Sequence, residues 1–211
     1  MSTVKSHRGR VLIAFEGADG SGKTTQAKRA VDYIKKKGRE VVLVREPGGT
    51  RVGEKIRQIL LDPDLKEMGV RTELFLYMAA RSQLAEEVLR GVDGEEKVIV
   101  TDRYLLSSVV YQGMAGEIGT AIVSEMGQLA VFGIQPDLTI VLDIDQAEVE
   151  RRMKGKKDRM EQKDAEFHER VRRGYAEAAR SAGPDTRLIP AGGEVEETEA
   201  LIRKEIDRVL G

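Results

Sequence analysis

Apolar residues are distributed along the chain in two distinct patterns. Unbroken apolar runs occur at 11–15 (VLIAF), 41–44 (VVLV), 98–101 (VIVT) and 138–144 (LTIVLDI), with a weaker one at 186–190 (TRLIP). They lack the polar alternation of a half-exposed strand, so each reads as a strand covered on both faces. Between them, apolar positions recur at helical spacing over residues 24–37, 53–61, 71–90, 117–132, 147–154, 165–182 and 194–210. The first of these opens after Gly22 and stops at Gly38, with Lys35, Lys36 and Lys37 in its last turn. Cations there suit the helix dipole, and glycine is a common terminator. Strands alternating with helices predict an α/β fold around a mainly parallel sheet. Connecting loops are expected at 46–51, 61–69, 114–119 and 154–164, the last unusually charged. No repeat or linker divides the chain, so one domain over residues 1–211 is expected.

Composition narrows the function. The 211 residues carry 35 Lys+Arg against 36 Asp+Glu, a net charge of −1. A whole-surface attraction to nucleic acid or to an anionic membrane is not indicated, and basic chemistry must come from local clusters. Cysteine is absent, which excludes a disulfide scaffold, a thiolate metal site and a cysteine nucleophile. No apolar run approaches the length of a membrane span, and a cytoplasmic location is expected. The polar arm MSTVKSHRGR reads as a frayed end.

The stretch FEGADGSGKTT, from Phe15 to Thr25, carries the sharpest chemistry. Gly17, Gly22, Lys23 and Thr24 match G-x-x-x-x-G-K-[ST] between a strand and a helix. Glycines let the backbone curl so that several N–H groups face one anion, and the helix N-terminus adds its positive end. Gly17, Ala18, Asp19, Gly20, Ser21, Gly22, Lys23, Thr24 and Thr25 therefore form a candidate nucleotide-phosphate cradle. Lys23 can reach the outer phosphates, and the Thr24 hydroxyl can ligate Mg²⁺. The chain lacks Asn, so the Asn-Lys-x-Asp guanine reader of GTPase switches cannot be present. Asp102, ending the strand at 98–101, is a second Mg²⁺ candidate, or else a cap for a following helix. Arg103 follows it. Arg45, Arg51 and Arg57 surround the turn Pro47-Gly48-Gly49 and suit a further anionic group.

FEGADGSGKTT, REPGGT, YMAARSQL, TDRYLLSSVVYQG and QPDLTIVLD occur in this order. Together they resemble bacterial-type thymidylate kinase, with KGKKDRMEQ similar to its lid. The resemblance implies a three-layer P-loop kinase fold with a five-stranded mainly parallel sheet flanked by helices, and a small lid at about 151–164. It also implies a homodimer with ATP and Mg²⁺ on the donor side and dTMP as acceptor. On the matching positions, Glu46 and Pro47 shape the acceptor pocket, and Arg57 and Arg103 grip the acceptor phosphate. Arg81 hydrogen-bonds the thymine edge, Ser108 and Gln112 face the base, and Tyr111 packs near the sugar. Asp19 faces the acceptor sugar. Tyr77 stands where the family usually carries a stacking Phe; either ring offers a π face.

Family members divide by where the catalytic cation lies. The cradle here reads Ala18-Asp19-Gly20-Ser21, without Arg, so the sequence resembles the type that supplies cations from its lid. The candidates are Arg151, Arg152, Lys154, Lys156, Lys157 and Arg159, with Arg152 and Arg159 expected at the transferring phosphoryl group. Segment 154–164 is expected to be mobile without ligand. No general base is required, because the attacking phosphate oxygen is already anionic. His7 falls in the N-terminal arm and His168 in a charged helix, and neither suits the role. The adenine pocket is weakly marked, with Ala191 and Gly192 suggested by position alone. Two rival readings follow from the same residues. One is a related kinase with another acceptor, and the other is a P-loop ATPase acting as a nucleotide-dependent switch.

Overall fold

The computed structural model describes residues 10–91, 97–153 and 157–211. Five strands, β1 (Val11–Gly17), β2 (Glu40–Arg45), β3 (Lys97–Asp102), β4 (Leu138–Asp143) and β5 (Thr186–Pro190), form one sheet in the order β2-β3-β1-β4-β5. Every neighbouring pair is parallel. The helices are α1 (Lys23–Lys36), α2 (Arg51–Leu61), α3 (Val70–Leu84), α4 (Leu105–Ser108), α5 (Thr120–Ala130), α6 (Gln146–Arg152), α7 (Ala165–Ser181) and α8 (Val195–Leu210). α3 runs on into a π-helical turn at Ala85–Leu89, and α4 into one at Val109–Ala115.

The unbroken apolar runs have their explanation in the layers. Ile13 and Phe15 on β1 pack with Ala27, Val31 and Ile34 of α1 and Ile202 and Ile206 of α8. The alternate residues Leu12 and Ala14 pack on the opposite face with Leu74 and Met78 of α3, Leu105 of α4 and Val123 of α5. Both sides of each central strand are therefore dry, which leaves no position for a polar alternation. On the same face as α3, Val141 of β4 packs with Phe167, Val171 and Tyr175 of α7.

The parallel register brings the strand ends level. Phe15 pairs with Asp102, and Asp102 pairs with Arg45. The phosphate loop, Asp102-Arg103 and Glu46-Pro47 thus emerge side by side at the C-terminal edge of the sheet, where α/β folds form ligand crevices.

Three differences from expectation stand out. The helix expected over 117–132 begins only at Thr120, because Glu117 and Gly119 have positive φ of 61° and 102° and break the run. The helix expected over 147–154 spans Gln146–Arg152, with Asp145 accepting from the Glu148 N–H as its N-cap. The third difference is α4 with its π turn, which periodicity did not predict. Its residues read as apolar on several sides, and they are buried between β1, α5 and α7.

Candidate active site

The phosphate loop is shaped by left-handed backbone. Gly17, Gly20 and Gly22 have φ of 138°, 78° and 91°. At Gly17 a side chain would also collide, since a Cβ there would lie 2.7 Å from the Leu142 carbonyl oxygen. Lys23 folds back over the loop and donates from Nζ to the Ala18 carbonyl at 2.7 Å. Burial, then the nearby Arg103 charge, push the Lys23 ammonium down to about 8, against the pull of Asp19 and Asp102. The Thr24 hydroxyl donates to Asp102 Oδ2 at 2.5 Å. A hydroxyl and a carboxylate so placed fit a hard divalent cation. Among the described residues no group of three or more His, Cys, Asp or Glu could hold a metal, so further ligands would have to come from phosphates and water.

Asp102 does not cap the helix that follows it. That work falls to Glu16, a buried acid near the C-terminal end of β1, directly after its apolar run. Its Oε1 accepts from the Tyr104 and Ser107 N–H groups at 2.9 and 3.1 Å, at the start of α4. Its Oε2 accepts from the Ser107 hydroxyl at 2.5 Å and the Tyr175 hydroxyl at 3.1 Å. Burial raises the Glu16 carboxyl, opposed by these hydrogen bonds and by Arg103. Asp102 is thereby left free for Thr24.

Arg103 sits at the seam of the cleft with a positive φ of 74°, a conformation L-residues adopt rarely. Its N–H donates to the Phe15 carbonyl at 2.9 Å, which anchors the turn. The guanidinium donates to the Gly17 carbonyl, the Ser107 hydroxyl and the Tyr175 hydroxyl at 3.1 Å each, and to Asp19. Asp19 also accepts from the Tyr111 hydroxyl at 2.9 Å. Burial raises the Asp19 carboxyl, but Arg103 and Lys23 outweigh it and hold the group at about 2.

The side of the crevice across from the phosphate loop is built from side chains. Arg81 is 1% exposed and directs most of its donors to protein groups. Nε donates to Glu46 Oε2 at 2.6 Å, one terminal nitrogen to the Ser108 hydroxyl at 2.9 Å, and the other to the Tyr104 carbonyl at 2.9 Å. Burial pushes Glu46 up to about 7, with Arg81 opposing. Its Oε1 is sealed without a hydrogen-bond partner among the described residues. Arg57, half-buried on α2, donates to the Pro47 carbonyl at 2.9 Å. The Tyr77 hydroxyl has no hydrogen-bond partner among the described residues, and burial raises it further above its ordinary range.

These groups converge on one cleft of about 450 Å³. Gly20, Gly22, Lys23, Thr24, Thr25 and Asp102 line it on the phosphate-loop side, and Glu46, Pro47, Arg57, Tyr77, Arg81, Ser108 and Gln112 on the other. Asp19, Arg103 and Tyr111, bonded to one another, line it between them. Gly17, Ala18 and Ser21 belong to the loop but are not among the residues lining this cleft. The expected lid cations separate. Arg152 lines the cleft beside Gly22, donating to Glu148 Oε1 at 2.5 Å and to the Ala191 carbonyl at 2.9 Å. Arg159, expected at the phosphoryl group, is instead buried. It donates from Nε to the Leu60 carbonyl at 2.8 Å and pairs with Glu73 at 2.7 Å. Lys154 and Lys156 lie outside the described residues. From Lys157 onward the segment expected to be mobile makes hydrogen bonds to its own backbone and to α2. Asp158 Oδ1 accepts from the Met160 and Glu161 N–H groups, and the Arg159 N–H donates to the Leu61 carbonyl. Sequence reasoning missed Glu16, Glu73, Ser107 and Tyr175. Only Glu16 left a signal, as an acid inside a strand otherwise apolar.

The family model for thymidylate kinase matches residues 15–202. The chain belongs to the thymidylate kinase family. Among its relatives, the thymidylate kinase of Symbiobacterium thermophilum is 38% identical over 201 residues, covering 95% of this chain and 94% of that protein. That of Caldanaerobacter subterraneus is 41% identical over 200 residues, covering 94% and 96%. The crystal structure of thymidylate kinase from Ehrlichia chaffeensis superposes with a TM-score of 0.77 at 27% identity, over 94% of this chain and 99% of that one. Family membership and the parallel five-stranded sheet thus agree with the P-loop kinase architecture that the resemblance implies.

Proposed function

We infer that the chain phosphorylates dTMP to dTDP, with ATP as donor, and so serves dTTP supply for DNA synthesis. One observation carries the reading. The phosphate loop and a second pocket lined by Arg57, Arg81 and Arg103 open into the same cleft, with Asp19 and Arg103 between them. An ATPase switch needs only the first half. A kinase needs both, aligned so that one phosphate oxygen attacks another phosphorus.

On the donor side, the loop N–H groups, Lys23 and Arg152 would hold the polyphosphate and offset charge on the transferring group. Thr24 and Asp102 would hold Mg²⁺, which would supply positive charge against that of the nucleotide phosphates. On the acceptor side, Arg57 and Arg103 would grip the acceptor phosphate. Tyr77 would stack on the base, and Arg81, Ser108 and Gln112 would read its edge. Glu46 and Pro47 hold this wall in place, and Tyr111 with Asp19 would orient the sugar. The attacking oxygen is anionic near neutral pH, so no residue has to remove a proton. Arg103 is already bound to Asp19, so the acceptor phosphate enters a site whose cation is fixed in advance.

The test is ADP release from ATP-Mg²⁺ against a panel of nucleosides and monophosphates. Strong stimulation by dTMP is expected. Equal stimulation by dUMP or a nucleoside would assign another acceptor, and stimulation by none would favour the switch.

The family resemblance to homodimers has a matching surface. α2, α3 and α5 lie side by side and expose Ile59, Phe75 at 63%, Ile122 and Leu129 at 81%. An apolar face of this kind suits a second copy of the chain. Phe75→Glu combined with Leu129→Glu should convert a dimer to a monomer in sedimentation experiments; a wild-type monomer would refute the dimer. Among the described residues no helix is long and apolar enough to cross a membrane, and a cytoplasmic enzyme fits the use of ATP.

A further inference from the structure

Glu73 has no part in the function described so far, yet three separate segments of the chain meet on its carboxylate. It lies in the first turn of α3 and is 1% exposed. Oε1 accepts from Gln112 Nε2 at 2.8 Å. Oε2 lies 2.7 Å from a terminal nitrogen of Arg159, an approach too oblique to count as a hydrogen bond, so that contact is chiefly electrostatic. A buried carboxylate is costly unless paired. Here Arg159 supplies the charge and Gln112 the hydrogen bond.

We propose that Glu73 is a specificity-determining residue that sets which base the acceptor pocket takes, by fixing the Gln112 amide. An ion-paired carboxylate has acceptors and no donor. Gln112 must therefore turn Nε2 toward Glu73 and Oε1 away from it. Gln112 lines the cleft, and its Oε1 is neither hydrogen-bonded among the described residues nor sealed from solvent. The base-reading end thus presents an acceptor in a fixed orientation. A pyrimidine-2,4-dione carries a donor at N3 and pairs with it. Cytosine carries a lone pair at N3, so two acceptors would face each other with neither satisfied. The same carboxylate anchors Arg159, so the segment from Lys157 onward is secured by the group that orients the base reader.

This inference rests on the reading that Gln112 faces the acceptor base. Its test is the ratio of dissociation constants for dCMP and dTMP in wild type, in Glu73→Gln and in the charge-balanced pair Glu73→Gln with Arg159→Met. A glutamine at 73 can donate as well as accept, which frees the Gln112 amide to rotate. The ratio is expected to fall about tenfold or more in both variants. A merely structural role would weaken both nucleotides alike and leave the ratio unchanged, which would overturn the proposal. A second probe uses the wild-type protein alone: N3-methyl-dTMP, which has lost the N3 donor, is expected not to compete with dTMP. Competition at the affinity of dTMP would equally overturn it. A wild type that binds dTMP but phosphorylates no acceptor would defeat the kinase reading and leave these binding ratios to be judged separately.

Discussion

The two ends of the cleft are made of different materials. The donor end is largely main chain: three glycines with positive φ, the α1 N-terminus, and a lysine that rests on a carbonyl until a phosphate replaces it. The acceptor end is largely charged side chain, arranged as closed pairs. Arg81 is held by Glu46, Arg103 at the seam pairs with Asp19, and Arg159, which does not line the cleft, is held by Glu73. A main-chain cradle binds any polyphosphate, because every residue has an N–H. A side-chain pocket can select, because removing a matched donor or acceptor leaves a desolvated group unpaired. Generality on one side and selectivity on the other is what a kinase with a common donor and a particular acceptor needs.

Paired substitutions break this comparison most directly. Lys23→Ala strikes the donor end and should lower turnover about 10³-fold, since a cation at the transferring group is lost. The measurement is steady-state turnover at saturating dTMP. A loss smaller than tenfold would mean that Lys23 serves only to brace the loop through Ala18. Arg103→Ala strikes the acceptor side and should lower kcat/KM for dTMP about 10²-fold. ATP affinity should shift by less than about threefold, as expected for separable sites. Equal damage to both substrates would show that the two ends are not independent.

The smallest effect is a pH dependence confined to the donor end. The Lys23 ammonium is pushed down to about 8 by burial and by Arg103, while bound polyphosphate would hold it charged. Above pH 8 the free protein has lost a proton that the complex must regain. ATP affinity should therefore fall as pH rises past 8, by at most about tenfold per unit, and binding should take up a proton. Calorimetry in two buffers of different ionisation enthalpy measures that uptake. The free protein moves the other way. A lysine with a depressed folded pKa binds fewer protons than the unfolded chain between about 8 and 10.5, so stability gains from this group as pH rises through that window. Affinity that is flat across pH 7 to 9 would place the Lys23 titration elsewhere.

The comparison also accounts for which parts were legible in the sequence. The five strands and most helices followed from apolar spacing, because burial on both faces of a parallel sheet leaves no room for polar positions. The donor loop was legible because its parts are contiguous and its glycines have one physical reason to be there. The helix over α4 escaped, since a segment buried on several sides has no amphipathic period to read. Glu16 and Glu73 escaped for another reason. An acid's role depends on what is brought to it, and Tyr175 and Gln112 lie 159 and 39 residues away along the chain. The same limit explains Arg159. Within its charged segment it looks like the other lid cations, and only the packing of α2 and α3 beneath it decides that its guanidinium turns inward.

The sequence by itself therefore determined the alternation of strands and helices, the phosphate loop and the residue types that surround a second anion. These depend on local spacing and on the intrinsic chemistry of side chains. Only the tertiary structure decided which charges are spent on each other and which remain for a ligand. Ion pairs and hydrogen bonds act over a few ångströms, and it is the fold that sets those distances.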